Sequence, residues 1–225
     1  MADAHVLNPD ASARRLLLAS AGLAFVAGYA DTASFVGADG IFCAHVTGNF
    51  VVLAADLARG AHASDWLKLS TFPLFVLAVA ITTRLTRAGA PLSPRTLVSV
   101  SVALLTASAA LAAWAPSEPN ALVTGALVGA MVLAMGVQNA MHRLHPSLGP
   151  MTTVMTGNVT GFVAELVRYA KTGGDASKLR LGGALIVAFT LGCLGGAFGT
   201  HYVGLASVVV PALVLMGPVR ASLPS

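Results

Sequence analysis

The 225-residue chain is 56% hydrophobic and only 10% charged, with a mean hydropathy of +0.80. A water-soluble domain carries about a quarter of its residues charged, so a soluble globule is excluded. Lys and Arg number 13 against 9 acids, a formal charge of +4. These cations stand at the ends of apolar runs without interleaved aromatics, a pattern that sets membrane topology and argues against nucleic acid as a partner.

No Asp, Glu, Lys or Arg occurs between Pro119 and His142 or between Leu181 and Val219. Each stretch exceeds the roughly 20 residues that cross a bilayer. In chain order the ordinary apolar spans are predicted over residues 16–36, 67–85, 97–115, 121–141, 181–199 and 202–217. The last two are separated because their 39 uncharged residues are too many for one crossing. Arg14 and Arg15 before an apolar run imitate a secretory signal, but a counterpart of this region recurs in mid-chain and favours a retained helix. Cys43 and Cys193 lie inside apolar segments and read as packing residues, not as a disulfide or metal site.

Two more segments, 41–59 and 151–169, have membrane length yet carry His45, Asn49 and Asp56, or Asn158 and Glu165. A shift of 109 residues pairs Thr47-Gly48-Asn49 with Thr156-Gly157-Asn158, and Ala55-Asp56-Leu57-Ala58-Arg59 with Ala164-Glu165-Leu166-Val167-Arg168, without a gap. One residue out of that register, Gly28 pairs with Gly136 and Asp31 with Asn139; one residue the other way, Asp65 pairs with Asp175 and Lys68 with Lys178. The expected architecture is therefore an all-α polytopic bundle, one membrane domain over 1–225, with repeat one at about 14–117 and repeat two at about 118–219. Internal duplication of this kind is common in transporter folds.

Six helices cross if the Thr-Gly-Asn segments only re-enter, giving inverted 3+3 repeats with 11 Lys and Arg inside against 2 outside. Eight cross if both segments span, giving parallel 4+4 repeats with 9 against 4. Both arrangements place the N- and C-termini in the cytoplasm.

The chemistry-bearing candidates gather on the same segments. A glycine- or proline-marked lead-in before each Thr-Gly-Asn favours a helix that starts at membrane depth, aiming unpaired N–H groups inward. Thr47, Gly48, Asn49, Thr156, Gly157 and Asn158, with Gln138 and Asn139 from the fourth span, are therefore candidate ligands for a small polar or anionic solute. Close helix packing through glycine explains the same triplets equally well. An acid at membrane depth faces a partner or a cavity, which makes Asp31, Asp56 and Glu165 candidates for proton or ion coupling. His45, Asn49 and Asp56, spaced by four and seven, are expected on one helical face, and His45 joins the coupling candidates. Asp56 and Glu165 each stand three residues before an arginine, so an ion pair at a helix end is the alternative. His142, Arg143 and His145 read as a solvated turn.

Nucleotide-binding, zinc-protease and nucleophile-elbow motifs do not occur in the sequence. A non-enzymatic protein without cofactor or metal is expected, with the lipid bilayer and a small solute as partners and a homodimer compatible with its small size. Transport would then be secondary or facilitated. The alternative is a membrane component that binds a partner protein or lipid without moving solute.

The string Gly28-Tyr29-Ala30-Asp31-Thr32-Ala33-Ser34-Phe35, followed by Thr47-Gly48-Asn49, Met135-Gly136-Val137-Gln138-Asn139-Ala140 and Thr156-Gly157-Asn158, resembles the YoaK-like family of bacterial multi-spanning membrane proteins, domain of unknown function 1275. The resemblance extends from about residue 16 to residue 217. It implies a bacterial inner-membrane protein and carries no substrate with it.

Overall fold

The computed structural model describes residues 9–60, 65–87, 92–116, 119–173 and 175–223; the expected division at 117/118 lies outside them. Among these residues the fold is helical throughout. The principal helices are α1 (Pro9–Gly37), α2 (Gly48–Arg59), α3 (Trp66–Arg87), α4 (Pro94–Trp114), α5 (Ala121–Leu144), α6 (Met155–Thr172) and α7 (Ala176–Val203). A last helical run, 204–222, is separated from α7 at Gly204, whose φ of +71° is a backbone conformation that suits glycine.

Several helix starts are written in local sequence. Ser93 accepts the Thr96 N–H ahead of Pro94 in the first turn of α4, Asn120 accepts the Val123 N–H at the start of α5, and Asp175 accepts the Ser177 N–H at the start of α7. Each side-chain oxygen satisfies an amide that has no partner within its own helix.

Among the described residues five stretches are long and apolar enough to cross a membrane: Ala11–Gly37, Trp66–Arg87, Pro94–Trp114, Ala121–Leu144 and Ala176–Ser222. The last contains both α7 and the terminal run. α1 and α5 form the centre, with 61% and 56% of their apolar windows buried, whereas α3 reaches only 22%. The outer helices turn Val76, Leu77 and Ile81 of α3, and Val187, Leu191 and Phe198 of α7, outward. An apolar exterior around a buried centre is what a hydrocarbon solvent requires. The chain is a multi-pass membrane protein.

Close approaches give the helix directions. Gly28 meets Phe189 and Cys193, Gly196 meets Tyr29 and Ala33, and Gly37 meets Thr200, so α1 and α7 run parallel. A methyl group at Gly28, Gly192 or Gly196 would collide with a backbone carbonyl oxygen of the facing helix, which explains why this contact is built from glycine. The Gly192-x-x-x-Gly196 spacing is the sequence signal of such packing. α3 and α5 are also parallel, with Gly125 on Leu67 and Gly136 on Phe75 and Ala78. α4 opposes α5 through Ser101 Oγ to the Ala134 carbonyl (3.2 Å) and Ser108 Oγ to the Leu127 carbonyl (3.0 Å). The terminal run opposes α1, placing Leu205 beside Gly37 and Val219 beside Gly22.

Candidate functional site

α1 ends at Gly37, and the chain then folds back alongside it. Asp31 lies six residues before that end, about 9 Å deeper at 1.5 Å per residue. Its carboxylate is buried, with 4% of the side chain exposed. Oδ1 accepts the backbone N–H of Ala44 at 2.7 Å and of His45 at 3.2 Å, and Oδ2 pairs with His45 Nδ1. One carboxylate thus holds the lead-in 38–47 at membrane depth through three bonds. The His45 ring meets Phe42 and Phe189 edge-on, with 37% of its side chain exposed. It therefore joins a buried acid to an accessible edge.

Asn49 fastens the same lead-in from the other side. It is fully buried, its Oδ1 accepts the Phe42 N–H, and its Nδ2 donates to the Phe42 carbonyl and to Thr71 Oγ1 on α3, each at 2.8 Å. Asn158 repeats part of this arrangement 109 residues later, donating from Nδ2 to the Met151 carbonyl at 2.8 Å. Asn139 likewise parallels Asp31: its Oδ1 accepts a hydrogen bond from Thr153 Oγ1 at 2.7 Å. The asparagines of the two triplets serve first as backbone braces.

Other expectations require correction. His45, Asn49 and Asp56 do not share a helical face, because α2 begins only at Gly48 and Asp31 holds His45 in the preceding non-helical turn. Helix starts likewise fall inside the second segment, at Met155. Asp56 reaches Lys68 at 3.2 Å, whereas Glu165 pairs with Arg168 as its spacing predicts. His142 is 3% exposed and belongs to the interior, not to a solvated turn. Sequence reasoning also missed Lys68 as a buried group: it is 2% exposed, with Asp65 at 3.0 Å and Asp39 at 4.0 Å completing its acidic surroundings. The available signal was an acid three residues before a lysine at the mouth of an apolar span.

The Thr-Gly-Asn segments are not packed on one another. α2 lies against α3, and α6 lies against α7. Gly48 faces the Phe42 ring of its own lead-in, whereas Gly157 meets Val154 alone. Thr47, Thr156 and Gly157 are exposed, and Gln138 is buried between α5 and α1. Two cavities lie elsewhere, near the α1 end: about 330 Å³ between Gly37, Ala112, Leu127 and Leu205, and about 270 Å³ between Asp39, Ile41, Leu67 and Thr124. Among the described residues no three His, Cys, Asp or Glu side chains are grouped to hold a metal ion.

A family model described as Protein of unknown function (DUF1275) matches residues 19–219. The chain belongs to this family. No curated protein and no solved structure matches it.

Proposed function

We propose that the protein is a small secondary transporter or permease of the bacterial inner membrane, in which Asp31 and His45 take up and release the coupling proton. The observation that carries this reading is the Asp31 carboxylate itself. It is buried within a crossing helix, bound to a partly accessible imidazole, and responsible for holding a folded-back segment in place. Ionisable groups at such depth are costly unless they have a task and a partner. Protonating Asp31 weakens its hold on Ala44 and His45, which links proton occupancy to the position of residues 38–47.

The chain directions support six crossings, two re-entrant segments and an inverted repeat. Asn49 lies beside Thr71 and Asp56 beside Lys68, so α2 starts deep and returns to the face where α3 begins. Its 12 residues span about 18 Å, short of the roughly 30 Å hydrocarbon core. α6 likewise starts near the level of Asn139, which Thr153 meets, and packs on α7, but its 18 residues are about 27 Å long. With that path Arg59 and Lys68 share one face and the other 11 cations share the second, which supports cytoplasmic termini. The solute is small and polar or anionic, received where Thr47 lies exposed beside His45; Asp56 and Glu165 hold the ends of the two segments through their ion pairs.

Proton-coupled flux in proteoliposomes tests the reading. Asp31→Asn keeps the shape and an acceptor oxygen but cannot ionise, and flux falls to the level of empty liposomes. Flux equal to wild type removes Asp31 from the mechanism. A second reading, a membrane protein that docks a partner or lipid, is favoured by α6, where no residue is buried and Val159, Val163, Leu166 and Val167 are exposed. That reading predicts no flux and a stable co-purifying partner.

A further inference from the structure

We propose that Gln138 and His142 form an internal site for one small guest that donates hydrogen bonds, a water molecule or an ammonium ion. The two residues are one turn apart on α5, at 2% and 3% exposure, and neither belongs to the Asp31 site. Gln138 Nε2 donates to the Leu23 carbonyl of α1 at 3.0 Å and to Thr152 Oγ1 at 2.9 Å. This orientation is required, since the amide oxygen cannot donate to the Leu23 carbonyl. Among the described residues Gln138 Oε1 is left buried with no hydrogen-bond partner.

His142 reaches the same condition by a different route. Its Nδ1 lies 3.1 Å from the Gln138 carbonyl, and a carbonyl oxygen only accepts, so the proton resides on Nδ1. The other nitrogen of the neutral ring, Nε2, is then a lone-pair acceptor, and among the described residues it too is buried without a partner. Two unpartnered acceptors sit on one helix face. An anion would bring further acceptors to them and bind neither. A guest carrying at least two O–H or N–H bonds has a donor for each, the role that buried water plays for otherwise unsatisfied polar groups. The neighbouring polar pair does not compete, because Asn139 Oδ1 is already occupied by Thr153 Oγ1.

The test uses the full chain in lipid nanodiscs labelled with ¹⁵N-histidine, the His142 signals being assigned by single replacement of the other histidines. A hydrogen-bonded Nε2 resonates away from the free-acceptor position, and wild-type protein is expected to show that displacement. Two arms separate the guests. Ammonium chloride that raises Tm above the value in equimolar potassium chloride, in wild type but not in His142→Phe, identifies ammonium. Magnetisation transfer from water to His142 without that ammonium response identifies water. A wild-type Nε2 at the free-acceptor position, unmoved by ammonium, overturns the proposal. Because that readout is made on the wild-type protein, the conclusion does not depend on any variant folding.

Discussion

The segments 41–59 and 151–172 begin alike and end differently. In both, an asparagine donates to a backbone carbonyl seven residues earlier, fixing a non-helical lead-in ahead of a short helix. The first segment adds an ionisable network: Asp31 grips two backbone amides and His45, and Lys68 gathers Asp56 and Asp65. The second is neutral at the matching depth, where Asn139 meets Thr153, and the ion pair of Glu165 with Arg168 is peripheral. A shared scaffold thus carries buried ionisable groups in its first copy and a peripheral ion pair in its second. The bracing bond explains the likeness of the two sequences, and the charges explain where function is to be sought.

Removing the ammonium should separate the segments most. Lys68→Met takes away the cation shared by Asp56 and Asp65 and is expected to destabilise the protein by about 4 kcal/mol, since breaking a buried ion pair strands its partners. Lys178→Met, at the matched but exposed position, leaves stability at the wild-type value. Both are read from unfolding in mixed detergent micelles.

The braces themselves should differ less. Asn49→Ala deletes three bonds around a fully buried side chain and costs about 3 kcal/mol, whereas Asn158→Ala deletes one oxygen-accepted bond and costs about 1 kcal/mol. Equal losses would show that the two lead-ins are held alike. The smallest effect belongs to Glu165→Gln, which disrupts a pair whose arginine is half exposed; in the same unfolding assay it should match wild type.

Much of this fold was legible in the sequence, because apolar length and charge placement report membrane crossing directly. The ordinary spans 67–85, 97–115 and 121–141 fall inside α3, α4 and α5 to within a residue at their ends. The two Thr-Gly-Asn segments stand out in the sequence as anomalies, but their helix starts do not. Whether residues 41–47 are helical depends on Asp31, which claims the amides of Ala44 and His45 from another helix. The partner of Asp56 depends on the fold in a similar way: the local pattern offers Arg59, and tertiary packing brings Lys68 to it. The difference between the two asparagines also depends on a facing helix. Thr71 receives Asn49, whereas Leu181 stands at the matched position of α7 and has no hydroxyl to offer.

The most direct measurement compares proton-coupled flux in proteoliposomes for wild type, Asp31→Asn, Asn139→Asp and the double exchange, with folding checked for each. If the ionisable chemistry belongs to the first segment, Asp31→Asn abolishes flux, Asn139→Asp preserves it, and the double exchange does not restore it, because Val154 takes the place of His45 in the second segment. Flux that survives Asp31→Asn, or that returns in the double exchange, would contradict the account.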